Sequence, residues 1–468
     1  MEKDRHEIEI FKIDQMFIGD SQEELIKQGE GRRKEHPIVA ISTFNPVKRD
    51  VFQLIKLTEE KMIPELLGMR HKRMMQNPFS YFRATAGIME KDLRQFPDGQ
   101  SHIPVIICGD SHLTNFGFFA SPERHLLFGL NDFDEARIGN WEFDLKRLLT
   151  SVVLIGRING YPKEQLDGIL AESVHSYRRG IKYANSLPLL DRFNLSYSVD
   201  DLLGQMTDNE QMKRVLLKVA DRAPKKNSDA VVKKFTEKTE DGRLRFKKNP
   251  PRARRVSQKV YAELMAGLED YQKSVADDIR VLLINYEVTD IIRYSVGVGS
   301  WGTRCYLALL TGKDGSHLVL QIKEALPLRY NLSALTVEES QAQGKGEGKR
   351  IITAQRVLQT YHDPFLGAIE AGGRSFYVRQ FRDMKDSIDP LNLDQESFSA
   401  YCNMCAFILA IAHYQSPTAP MIYGYVHKQK ELDTGLAHWA VKYADQMEAD
   451  YTCFAKYLQG EGGEGDEE

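Results

Sequence analysis

The sequence predicts an α+β protein built from a small antiparallel sheet lobe and a larger helical lobe. Three stretches carry that expectation. Residues 290–325 hold three strand-like runs, DIIRYSV, TRCYLALL and HLVLQIKEA, joined by a glycine loop and the polar turn GKDGS. PFLGAIEAGGRSFYVRQF (364–381) reads as two more strands around a Gly-Gly turn. Over 141–182, 256–284 and 395–458, by contrast, apolar residues recur at three- and four-residue spacing, the period of a helix. Strands gathered in one region and helices in others indicate segregated layers, not alternating βα units.

The remaining elements follow in chain order. Residues 1–60 are polar and predict a short helix near 21–29, and residues 60–96 predict two helices, with Pro78 opening the second behind Asn77 as its cap. IPVIIC (103–108) and HLLFGL (125–130) are short strand-type runs. Residues 213–259 hold 17 lysines and arginines against 5 acids. Without an aromatic platform or nucleic-acid module this reads as a solvated excursion, with PKKNSD and KKNPPRARR as loops. A helix is expected over 348–361. The chain thus divides into a helical lead-in (1–100), a first part of the helical lobe with the basic insertion (101–285), a sheet lobe (286–385), closing helices (386–458) and an acidic, glycine-rich tail (459–468) expected to be disordered.

Composition narrows the class. In 468 residues there are 63 Lys and Arg, 66 Asp and Glu, and five cysteines. No run approaches the roughly 18 apolar residues of a spanning helix, the N-terminal MEKDRHEIEIFK has no apolar core of the secretion-signal type, and five cysteines make no disulfide framework. A soluble cytoplasmic protein is expected, with no membrane partner and no nucleic-acid partner.

Two motifs carry chemistry. Gly297-Val-Gly299-Ser300-Trp-Gly302 fits G-x-G-x-x-G, but a strand follows it where a dinucleotide fold would have a helix. Strand, glycine loop, strand is the arrangement in which bare backbone folds over nucleotide phosphates. Lys323 lies 21 residues further on, inside the apolar run LVLQIKEA. A lysine there needs an anion, and the α- and β-phosphates of ATP are a suitable one.

The second motif is Cys108-Gly-Asp110-Ser-His112-Leu-Thr-Asn115, followed by Asn131-Asp132-Phe133-Asp134. Asp110 can take a proton from a hydroxyl nucleophile, while Asn115 and Asp132 offer oxygens to a divalent cation. Mg²⁺ suits such sparse ligation because it keeps water and phosphate oxygens as its other ligands. Gly-Asp and Asn-Asp-Phe-Asp are equally turn chemistry, and His112 could be an ordinary loop histidine.

G-D-x-H-x-x-N, a hairpin, then D-F-D resembles the Brenner-type signature of aminoglycoside phosphotransferases and choline kinases, of the protein-kinase-like superfamily. Ile138-Gly-Asn-Trp-Glu-Phe-Asp144-Leu-Lys-Arg147 is similar to the segment after their metal aspartate. The resemblance implies a two-lobed kinase-like fold, with Asp110 as base, Asn115 and Asp132 as metal ligands and Asp144 as a structural aspartate. It implies that Gly297, Gly299, Ser300 and Gly302 form the phosphate loop and that Lys323 is the ATP lysine. Across residues 69–451 the chain also resembles a bacterial family catalogued as a domain of unknown function, through MRHKRMMQNPFSYFRATAGIM, ICGDSHLTNFG, NDFDEARIGNWEFDLKRL, VGVGSWGTRCYLALL, FYVRQFRDMK and YADQMEADY.

This chain departs from the kinase pattern in three ways. The glycine loop and lysine follow the base and metal residues instead of preceding them, which implies a circular permutation of the two lobes. SFSAYCNMCAFILAIAHYQS (397–416) resembles the helix that leads into the catalytic loop, in keeping with that order. The helix KRIITAQRVLQTYH lacks a glutamate for Lys323, leaving Glu347, Glu338, Glu339 or Gln355 as candidate partners. Cys108 stands where those relatives carry His, and Asp134 where they carry Gly; Asp134 is either a third metal ligand or a charged turn. Cys402 and Cys405 read as core packing, His413 as a cap or core residue, and RHKRM (70–74) as a solvated helix face.

The expected function is an ATP- and Mg²⁺-dependent phosphotransferase acting on a hydroxyl or amine of a small-molecule acceptor, with Asp110 and Lys323 as its catalytic residues. A nucleotide-binding regulatory protein and an AMP transferase stand as alternatives.

Overall fold

Polar residues open the first helix. Ser21 Oγ accepts from the Glu24 amide, and the Glu24 carboxylate accepts in return from the Ser21 N–H at 2.7 Å. The helix so capped, Gln22–Glu35, runs past the expected end at 29. These elements come from a computed structural model that describes residues 19–206, 208–295 and 302–460. Asn77 caps Pro78–Ala84 as expected, accepting from the Ser80 N–H at 2.7 Å. Arg70 corrects the reading of RHKRM as a solvated face: it is buried, because Glu59 on the preceding helix neutralises it at 3.1 Å.

Twelve strands are described: β1 (Pro104–Ile107), β2 (Phe116–Ala120), β3 (Leu126–Leu130), β4 (Arg137–Asn140), β5 (Thr236–Lys238), β6 (Leu244–Phe246), β7 (Ala253–Arg255), β8 (Tyr286–Tyr294), β9 (Cys305–Gly312), β10 (His317–Glu324), β11 (Gly367–Ala371) and β12 (Arg374–Gln380). The last six form one antiparallel sheet in the order β11-β12-β10-β9-β8-β7. β7 corrects the expectation that KKNPPRARR is all loop. Ala253 pairs with Tyr294 and Arg255 bonds Asp290 at 2.7 Å, so the basic excursion supplies a charged edge strand. The other strands form three two-stranded antiparallel pairs, β1 with β4, β2 with β3, and β5 with β6.

Strand alternation decides which way Lys323 faces. Leu318, Leu320 and Ile322 of β10 pack with Tyr306, Ala308 and Leu310 of β9 under the helix Gln258–Ser274. Val319 faces the other way, against Leu307 and Leu309, and by the two-residue period Gln321 and Lys323 share its side.

The helical part gathers around Trp141–Ile158, whose residues are all buried from Trp141 to Gly156. Lys163–Ser186, Gln395–His413 and Glu431–Leu458 pack about it in one apolar core. Cys402 and Cys405 are buried there as free thiols, in line with core packing. The central helix carries Asp144, Arg147 and Ser151 into this core, where each needs a partner. Among the described residues no helix is long and apolar enough to cross a membrane.

Candidate functional site

The loop after β1 is fastened to the central helix by side chains at positions 144, 147 and 151. Asp144 accepts from the backbone N–H groups of Cys108 (2.8 Å) and Gly109 (2.9 Å). Arg147 Nε donates to Asp110 Oδ1 at 2.6 Å, and Ser151 Oγ accepts from the Leu113 N–H at 3.0 Å. Residues three and four apart share a helix face, so one stripe holds the whole loop. Gly109 has φ +75°, and a Cβ there would lie 2.2 Å from the Glu135 carbonyl oxygen; no other residue fits. His413, expected as a cap or core residue, is buried between Tyr177 (2.8 Å) and Asp144 (3.2 Å) and so steadies the aspartate. Tyr401, on the same helix as His413, donates to the Leu113 carbonyl at 2.9 Å.

Burial alone would raise the Asp110 carboxyl, but Arg147 and Arg329 hold it below the usual carboxylate range. It stays ionised at any working pH. His112 is pushed down to about 3 by burial and is neutral; its ring stands edge-on to Phe79.

Asn115 ties this loop to the next. Its amide nitrogen donates to the carbonyls of Asp110 (2.9 Å) and Asp132 (3.0 Å), and its oxygen accepts from the Asp132 N–H at 2.7 Å. The β2–β3 hairpin thereby delivers Asp132 beside Asp110. Behind the 132–136 turn, Arg350 donates to the carbonyls of Ala136 and Asp134, and Arg329 pairs with Glu135 at 3.1 Å.

Lys323 crosses from the sheet to the same turn. Its Nζ lies 2.5 Å from Asp134 Oδ2 and 3.8 Å from Asp132 Oδ1. Tyr377, opposite it in the register, donates to Asp134 Oδ1 at 2.9 Å. Burial opposes the ammonium charge, but Asp132 and Asp134 raise its proton affinity well above that of a free lysine. These partners correct the expectation of a helix residue for Lys323. Glu347 is taken by Arg350, Gln355 by Gln359, and Glu339 caps its own helix, while Asp134 is nearer than any of them.

Asp110, Asn115, Asp132, Asp134 and Lys323 line one cavity of about 500 Å³ between sheet and helices. Gly297, Gly299 and Ser300 lie outside the described residues. Gly302 is not in the lining: with φ +106° it closes on the lead-in helices, where a Cβ would strike the Met62 side chain at 2.5 Å and its carbonyl accepts from the Ile63 N–H at 2.8 Å.

Apart from Lys323, sequence reasoning missed the cations of this cavity. Arg147 was legible as a helix-face neighbour of Asp144. Arg83 lies on the helix Pro78–Ala84, whereas Arg379 and Lys385 lie on and just after β12, and nothing in either stretch marks them as facing this cavity. Arg379 donates to Gln321 at 2.9 Å, and Lys385 touches the Asn131 carbonyl at 3.4 Å. Burial and the nearby Arg379 and Lys323 push the Lys385 amine down to about 7, against a smaller pull from Asp132.

As a metal site the donor set is all oxygen, as a hard cation requires. The Asp132 side chain is 51% exposed and available, whereas Asp134 is held by Lys323 and Tyr377. Among the described residues no three His, Cys, Asp or Glu side chains gather into a ready-made metal cage.

No curated protein and no solved structure matches the chain. A family model described as an uncharacterized protein conserved in bacteria, DUF2252, matches residues 62–457, which include all twelve described strands and every residue named above in the cavity lining, and the chain belongs to that family.

Proposed function

We propose that the protein is an ATP- and Mg²⁺-dependent phosphotransferase of kinase-like architecture, with its two lobes in permuted order, acting on a hydroxyl or amine of a small molecule. The observation that carries this reading is the convergence of Lys323 with Asp132 and Asp134, from segments 189 residues apart, beside Asp110 in one cavity. The order within the sheet agrees with it. A glycine loop separates the first two strands of the β8–β10 run, the lysine sits on the third, and a helix follows, as in kinase sheet lobes. The cavity volume lies in the range of small-molecule sites.

In this reading Lys323 and Arg379 hold phosphate oxygens, and Asp132 with Asn115 would hold Mg²⁺, for which Asn115 must release one backbone N–H. The ion supplies neutralisation of charge on the transferring phosphoryl group. Asp110, ionised and fixed by Arg147, orients the acceptor's hydroxyl or amine. The acceptor atom bonds to the γ-phosphorus as the bond to the ADP oxygen breaks, and the acceptor's proton passes to Asp110. Because such transfers have loose transition states, positioning matters more than a strong base, which suits a carboxylate of low proton affinity.

A nucleotide-binding regulator is the second reading, favoured by the Lys323–Asp134 pair and by the engaged oxygen of Asn115. Incubation with ATP labelled on either the α- or the γ-phosphate, against a metabolite extract, separates the readings. Transfer of γ-label to a small molecule supports the kinase; transfer of α-label supports AMP transfer. Nucleotide binding without consumption leaves the regulator.

A further inference from the structure

Four cations in or behind the cavity wall have an acidic partner. Lys323 has Asp134, Arg147 has Asp110, Arg329 has Glu135 and Lys226 has Asp386. Arg83 does not. It projects from Pro78–Ala84 into the cavity wall beside Asp110 and His112. Among the described residues it makes no hydrogen bond or ion pair, and its Nε is fully buried without a partner. The Phe79 ring centre lies 5.9 Å from its guanidinium carbon. Asp110 and Asp132 act on it from beyond ion-pair distance, too weakly to offset burial. Its neighbour Arg147 is fully engaged, bonding Asp110 and the Phe82 carbonyl.

The residue is half-buried and its Nε has lost water without gaining an acceptor, which is costly to keep, while the two terminal nitrogens are not buried. Its planar fork matches the paired oxygens of a carboxylate or phosphate. The nucleotide is held elsewhere in the proposed function: Arg379 and Lys385 act on Lys323 and Asp132, on the sheet side. Arg83 stands on the helical side, next to the residue proposed to orient the acceptor. Resting on that reading, we infer that Arg83 receives an anionic group of the acceptor. The substrate class is then an anionic small molecule, carrying a carboxylate or phosphate together with the hydroxyl or amine presented to Asp110.

The test needs no identified substrate. Inorganic phosphate and acetate are titrated separately into the full chain by calorimetry, using wild type, Arg379→Gln, which weakens the phosphate site proposed for the nucleotide, and Arg83→Met added to each. Saturable uptake of at least one anion is expected, and adding Arg83→Met to Arg379→Gln weakens what remains at least about tenfold. Methionine keeps an apolar stem against Phe79; should that variant not fold, Arg83→Lys carries the test, and loss of the fork predicts a weakening of a few-fold. Unchanged affinity when the Arg83 change is added to Arg379→Gln, or no saturable uptake of either anion by wild type or by Arg379→Gln, overturns the inference. Stronger uptake of phosphate points to a phosphorylated acceptor, and of acetate to a carboxylic acid. No nucleotide enters these titrations, so their outcome is independent of the labelled-ATP experiment that tests phosphoryl transfer.

Discussion

The two sides of the cavity are built on opposite principles. On the helical side, the loop 108–115 has its polar groups answered from within: Asp144 takes two backbone N–H groups, Arg147 takes Asp110, and Asn115 joins the loop to the Asp132 turn. On the sheet side, Arg379 and Lys385 have only neutral partners. The first arrangement fixes geometry before any ligand arrives. The second leaves positive charge for a ligand to complete. A site so divided is suited to chemistry in which position is set by the protein and charge is brought by the substrates.

That contrast is open to direct attack. The largest effect expected is from Asp110→Asn, which should lower turnover by about 10²–10⁴-fold while ATP binding persists, as steady-state rates and calorimetry would read. Wild-type turnover in this variant would remove Asp110 from the mechanism. Next is Asp144→Ala, which strips an acceptor from two buried N–H groups of the loop. A loss of about 3 kcal/mol is expected, seen as a lowered melting temperature. Asp132→Ala should weaken nucleotide binding about tenfold in Mg²⁺ but little in its absence. Equal losses with and without the metal would argue that Asp132 only orders the turn.

The smallest effect concerns Lys385. An unfolded lysine keeps its proton to about pH 10, whereas burial and its cationic neighbours bring this amine down to about 7. Between those values the unfolded chain binds more protons, so this group's contribution to stability rises with pH across the window. Bound phosphates should restore the proton. Nucleotide binding at pH 8 is therefore expected to take up a proton, read by calorimetry in buffers of different ionisation enthalpy, and Lys385→Met should abolish that uptake.

Much of this arrangement was legible in the chain. Strand runs, the Asn77 cap and the Gly372-Gly373 turn are local features, and each formed near its expected position. Asp110, Asn115 and Asp132 were legible because their spacing bears on one another within a few residues of a strand end. β7 was hidden because its three residues gain strand character only by pairing with β8. The partner of Lys323 was hidden for a related reason. A short range in sequence pointed to the helix that follows the lysine, whereas the fold brings in Asp134 from far earlier in the chain. Arg83 gives no sign at all until its surroundings are assembled.

The central claim is that Lys323 and the Asp132 turn share a magnesium–nucleotide ligand. Calorimetric titration of ATP into the full chain, with and without Mg²⁺, tests it most directly. The account predicts saturable uptake of one nucleotide per chain that is stronger with the metal and is lost in Lys323→Met. Absence of uptake of any adenine or guanine nucleotide with Mg²⁺ present would contradict it.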